Sequence, residues 1–238
     1  MARAFIDLHC HTRASFDSLS RPADVVRLAA ERGLTHIAIT DHDRIDGALE
    51  ARSAAPAGLT VIIGEEVKTS EGDLICVFLE QAIPPGLSAA ETIAAAREQG
   101  GLIGIPHPFD TFRGSLSRSG HLAEIAPLVD WIEGHNARLV GNGNEQARAF
   151  AAEHARPVVA VSDAHSLIEV SVAYTALDGD PSTPAGLLAA LAEAELVPGR
   201  ASYLVRLLTP VSKVVQRARG NGRVQPSLPG TRPPGGLA

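Results

Sequence analysis

Residues 20–43 read SRPADVVRLAAERGLTHIAITDHD, and the fold is decided here. Ser20 is placed to cap, Pro22 sits in the first turn, and Val25, Val26, Leu28 and Ala29 form an apolar stripe that Gly33 ends. THIAIT (35–40) is then a short β-branched strand that runs straight into Asp41 and His42. A helix feeding a strand whose carboxyl end releases polar residues is one unit of a parallel α/β fold.

The unit recurs in both directions. AFIDL (4–8), LTVIIG (59–64), LICVFL (74–79), LIGIP (102–106), LVDWIE (128–133) and PVVAVS (157–162) read as strands. SAAETIAAAREQGG (88–101), with a Ser88–Glu91 capping box, NEQARAFAAEHA (144–155) and TPAGLLAALAEAEL (183–196) read as helices. KTSEGD (68–73) predicts a hairpin-like turn that interrupts the rhythm. At 238 residues, with 45% hydrophobic and 20% charged residues, the chain matches one α/β barrel. RARGNGRVQPSLPGTRPPGGLA (217–238) has little to bury, so residues 1–217 are expected to form the single domain and 218–238 a disordered tail.

Composition narrows the partners. A net charge of −6 offers no general field for nucleic acid or an anionic membrane, so neither duplex nucleic acid nor a membrane is expected. No signal peptide and no run of about 18 apolar residues is seen, which predicts a cytoplasmic protein with Cys10 and Cys76 reduced. Nothing in the sequence indicates an oligomeric state.

Acids and histidines fall at the strand ends. His9 and His11 follow the first strand, Asp41 and His42 the second, and Glu65 and Glu66 the third. His107 follows LIGIP; Glu133, His135 and Asn136 follow LVDW; Asp163 and His165 follow VVAV. In a closed barrel these ends converge on one face. A spacing of two on extended chain sends both side chains the same way, so His9 pairs with His11 and Asp163 with His165. By the same alternation Cys10 faces the opposite side, as a small core residue. One such residue alone is an ordinary turn former; six strand ends together point to a shared centre. His36, His121 and His154 lie at a strand start or on helices and receive no role. The donors outnumber the four that one tetrahedral zinc takes, which predicts two or three cations sharing carboxylates. So many acids beside imidazoles would be poorly stable without cations.

DLHCHT with SFDS, GLTHIAITDHD, GEEV, PHPFD and SDAH, in this order, resemble the polymerase-and-histidinol-phosphatase (PHP) family of metal-dependent phosphoesterases. The resemblance runs from about residue 5 to 165, and more loosely to about 215. It implies a distorted TIM-like (β/α)7 barrel with up to three Zn, Mn or Fe ions at its carboxyl face. The implied ligands are His9, His11, Asp17, His42, Glu66, His107, Asp163 and His165. Glu66 would bridge metals, and Glu66, Asp163 and His165 would carry the reaction. His135 is a further candidate ligand, with Asn136 as a substrate contact.

Clustered cations can hold a bridging hydroxide and neutralise phosphoryl charge, so hydrolysis of a small phosphorylated metabolite or nucleotide is the expected activity. Arg113 and Arg138, which follow ligand-bearing strands, are placed to grip the phosphate. The competing readings are an amidohydrolase-like enzyme cutting C–N or C–O bonds and a non-catalytic metal-binding regulatory module. Against the first, Lys68 and Lys213 are the only lysines, and no candidate carboxylated lysine sits on a barrel strand. Against the second stands the near-complete donor set.

Overall fold

The computed structural model describes residues 3–110, 115–202, 205 and 208–225. Arg113 and the end of the expected tail, 226–238, lie outside the described residues. The alternation of helix and strand builds one mixed sheet of nine strands, ordered β7-β6-β5-β4-β3-β2-β1-β8-β9. β1 (Arg3–Asp7), β2 (His36–Ile39) and β3 (Thr60–Lys68) run parallel, with α1 (Pro22–Glu31) and α2 (Asp46–Ser53) as their crossovers. β4 (Asp73–Val77) is antiparallel to β3 and to β5 (Leu102–Ile105), as the Gly-containing turn at 68–73 predicts. After α3 (Ala89–Glu98) and the short α4 (Leu122–Ile125), β5, β6 (Trp131–Asn136) and β7 (Val158–Val161) are again parallel, with α5 (Gly143–Glu153) between the last two.

The seven-strand wall closes between its first and last members. At the carboxyl end Cys10 bridges Ala164, His11 N–H donates to Ala164 O, and Asp163 N–H donates to His9 O, both at 2.9 Å. At the amino end β8 (Tyr174–Asp178) fills the gap, antiparallel to β1 and followed by α6 (Pro184–Leu191) and β9 (Glu195–Val197). Thr175 Oγ1 ties β8 to β7 through both the N–H and C=O of Ala160. The result is the nearly closed, distorted TIM-like barrel that the sequence predicts.

Two apolar layers hold it. Ile6, Leu8, Ile62, Ile75, Trp131 and Val161 belong to one buried cluster, joined by Leu187 and Leu191 of α6. Cys10, Ile37, Ile63 and Ile105 belong to a second, with Val25 and Val26 of α1 and Ile93 of α3. Cys10 and Cys76 are buried free thiols, as expected of core residues. Gly104 makes room for Trp131, since a Cβ there would overlap the indole.

Several local readings shift. Arg21, not Ser20, occupies the N-cap of α1 and makes no side-chain cap bond; Pro22 opens the helix. The Ser88–Glu91 capping box is present. α6 stops at Leu191, and the end of its predicted span is taken by β9. α2, β8 and β9 are added. The last helix, α7 (Leu208–Ala218), buries the polar Ser212 and Gln216 and exposes Leu208, Val211 and Val214. Gln216 Nε2 lies 2.6–2.9 Å from the carbonyls of Arg13, Ser15 and Ser18, and Asn221 Nδ2 also donates to the Arg13–Ser15 carbonyls. The boundary expected at 218 thus falls inside a segment that ties down the loop after β1. Among the described residues, no helix is long and apolar enough to cross a membrane.

Candidate metal centre

The carboxyl ends of the strands deliver eight of the predicted donors to one place. His9 Nε2 and His11 Nε2 are 2.9 Å apart, and each lies 3.5 Å from Glu66 Oε2 and 3.6 Å from Asp163 Oδ1. Glu66 also reaches His42 Nδ1 and His107 Nε2, both at 3.1 Å. Asp17 Oδ2 sits 3.4 Å from both His42 Nε2 and His165 Nε2. Two groups emerge whose donor atoms could each surround one ion: His11, Asp17, His42 and His165, and His9, His11 and Asp163. Of the two acids in IGEE, Glu66 faces this centre. Glu65 turns away, accepts from Ile83 N–H, and is pushed up to about 8 by burial.

The backbone is bent to achieve this. His107 and Asp163 both adopt positive φ, at 28° and 52°. Such conformations cost non-glycine residues of order 1 kcal/mol or more and concentrate at functional sites. The loop carrying Asp17 is fixed by Asp41, which accepts from Thr12 N–H and Thr12 Oγ1–H at 2.6 Å. A Cβ at Gly47 would overlap that carboxylate, so the start of α2 needs glycine.

The electrostatics fit a cation-binding role. Burial opposes charge on His9 and His42, but surrounding carboxylates prevail. Asp163, Glu133 and Glu66 hold His9 well above the ordinary imidazole range, and Glu66 with Asp17 raise His42 to about 9. Burial, Arg138 and His11 push His165 down to about 3, and burial lowers His11. Burial is likewise outweighed at Asp17, which His165 and His42 hold far below the usual carboxylate range, and at Glu66, held down by His42 and His9. Without cations the acids thus take protons on neighbouring imidazoles as counter-charge. Buried donor atoms that include Asp17 Oδ1 and His107 Nδ1 have no hydrogen-bond partner among the described residues. His9 and His11 point two ring nitrogens at each other, an arrangement that needs a cation or a proton between them. These features, with mixed imidazole and carboxylate donors, suit divalent Zn, Mn or Fe.

One predicted ligand, His135, does not join. The register of β6 shifts between Glu133 and His135, which turns Asn136 rather than His135 inward. His135 Nε2 instead lies 2.7 Å from Gly199 O, so it is not a donor of this cluster. Asn136, the expected substrate contact, is buried, and its amide donates to Glu133 Oε2 at 2.8 Å and Asp163 Oδ2 at 3.0 Å. Glu133 is the residue that sequence reasoning placed at this edge without giving it a role. It holds His9 Nδ1 at 2.6 Å and accepts from His107 N–H at 2.8 Å, orienting two candidate ligands from behind. Its signal was present, as the acid at the carboxyl end of the LVDWIE strand.

Above the donors opens a cavity of about 940 Å³, lined among others by Phe16, Arg118, Arg138, Lys213 and Arg223. Arg138 is nearly buried; its Nε lies 3.2 Å from Glu169 Oε1, and an Nη donates to Thr209 Oγ1. Glu169 also accepts from His165 N–H, linking the arginine to the donor cluster.

A PHP domain model matches residues 7–162, and a PHP-associated model matches 135–196. The chain belongs to the PHP domain family. A Methanocaldococcus jannaschii protein of unassigned activity is 40% identical over 114 residues, spanning 43% of this PHP chain and 67% of that one. Among solved structures, a two-domain Bacteroides vulgatus protein containing a PHP-like metal-dependent phosphoesterase superposes with TM-score 0.69 at 20% identity. The match covers 83% of this chain and 65% of that one. Endonuclease Q in complex with a 27-mer duplex bearing an abasic lesion superposes with TM-score 0.61 at 18% identity, over 82% of this chain and 58% of that one. This corrects the expectation of no duplex nucleic acid. A protein that shares this fold over much of its length holds a duplex with the lesion at its active site, and net charge, a property of the whole surface, does not report on one local groove.

Proposed function

We propose that this PHP protein is a metal-dependent phosphoesterase that hydrolyses the phosphate ester of a small metabolite or nucleotide. One observation carries the reading: five strand ends bring His9, His11, Asp17, His42, Glu66, His107, Asp163 and His165 together beneath a cavity lined by arginines. These eight residues would hold two or three divalent ions, Zn, Mn or Fe. Bound there, such ions acidify water and neutralise phosphoryl charge. Glu66 lies within reach of four imidazoles and is suited to sharing its carboxylate between ions. Asp163, held by Asn136, and His165, held by Glu169, complete the reacting wall. Arg138, aligned by Glu169 and Thr209, grips the phosphate; Arg113, beyond the described residues, is the second candidate. The reduced, buried thiols support a cytoplasmic setting.

The test is hydrolysis of p-nitrophenyl phosphate, then of a panel of phosphorylated metabolites, nucleotides and abasic duplexes, by Mn-loaded and chelator-treated protein. Turnover is expected only with metal. Arg138→Ala should lower kcat/KM about ten- to a hundredfold through loss of a charge-assisted bond. Metal-loaded protein that hydrolyses no phosphate ester would overturn the reading.

A further inference from the structure

The cavity holds more positive charge than one phosphate needs. Lys213 Nζ on α7 stands 5.3 Å from the centroid of Phe16, and Arg223 Cζ, from the segment beyond the helix, stands 5.4 Å from the same ring. Phe16 in turn packs on His42, centroid to centroid 4.9 Å. A single aromatic ring therefore separates these cations from a candidate metal ligand. The two cations differ in their partners. Arg223 meets Asp43 at 3.1 Å and Asp73 at 3.4 Å, which fixes its guanidinium and offsets its charge. Lys213 has no carboxylate within ion-pair distance among the described residues, and it faces the cavity beside Thr209, the partner of Arg138. The ring holds the ammonium in place but leaves its donors unspent.

We infer that Lys213 forms an anion subsite next to the metal centre, taking a second anionic group, carboxylate or phosphate, that the substrate carries close to its hydrolysable phosphate. The first anion rests on the phosphoesterase reading; the subsite is tested by binding alone. Gln216 and Asn221 fasten the helix end to the loop that bears Phe16, so ammonium and ring keep a fixed relation.

The Mn-loaded protein is titrated calorimetrically with 3-phosphonopropionate and with propylphosphonate, which differ only in a terminal carboxylate against a methyl group. Neither can be hydrolysed. The parent should bind the carboxylate compound about tenfold more tightly, the worth of one charge-assisted contact. Lys213→Ala should abolish that preference with metal content and melting temperature retained, and Lys213→Arg should keep it. A second arm compares the non-hydrolysable methylenephosphonate analogues of thymidine 5′-phosphate and of the 5′-phosphorylated thymidine dinucleotide. A Lys213-dependent gain there assigns the subsite to a neighbouring phosphodiester, whereas a gain confined to the carboxylate assigns it to a small metabolite. No carboxylate preference by the parent together with no Lys213-dependent gain for the dinucleotide, or a preference that survives Lys213→Ala, overturns the inference. Failure to hydrolyse p-nitrophenyl phosphate would remove the phosphoesterase reading and leave these ratios readable.

Discussion

Glu133 stands behind the metal centre with both oxygens committed, one to His9 Nδ1 and the other to His107 N–H and the Asn136 amide. Its truncation should free the His9 ring and its tautomer. Glu133→Ala is expected to weaken metal affinity about ten- to a hundredfold, read by zinc titration against a competing chelator. His135→Ala should leave stoichiometry unchanged, because that ring faces Gly199. Protons provide a second check. His42, raised to about 9, holds a proton at pH 7 that a metal must displace, so binding should release protons and weaken as pH falls. The sign for stability is the reverse of the usual carboxylate case. Raised above its unfolded value of 6.5, His42 stabilises the metal-free fold fully below that pH, and this contribution is lost as pH rises through 9. Melting in chelator should therefore drop between pH 7 and pH 9.5, and the metal-loaded protein should lack this term.

At the level of elements, most of the barrel was legible, because its strands are β-branched runs ending in donors and its crossovers carry helical periodicity. What escaped has physical causes. The bulge in β6 is a backbone event with no sequence mark, so alternation pointed to His135 where the chain presents Asn136. β8 and β9 close a gap that exists only once the other strands have curved round it. α7 hid its role by inversion, since its buried face is polar and Gln216 serves loop carbonyls instead of a core. Gln216→Leu should cost about 1–3 kcal/mol by leaving buried carbonyls unsatisfied, measured by denaturant unfolding. Gly104→Ala should cost a similar amount, about 1–3 kcal/mol, by forcing Trp131 out of its place, with a change in indole fluorescence as the signature.

For the whole molecule, a bound cation would count toward the stability of the fold as well as toward the proposed chemistry. Metal bound only by the native state at a hundred times its Kd adds about 2.7 kcal/mol. For a chain of this length that corresponds to a rise in Tm of about 5–10 °C, which calorimetry with and without chelator should show. The seam between the first and last strands of the wall has a further consequence. His9 and His11 lie at one side of it and Asp163 and His165 at the other, joined by the Cys10–Ala164 bridge. During synthesis the chain emerges amino end first. Neither donor group is complete until residue 163 has left the ribosome, the one with His165 two residues later still, and the seam has zipped shut. A nascent chain stalled before that point holds most of its histidines but neither finished donor group, so metal capture would wait for the end of barrel assembly.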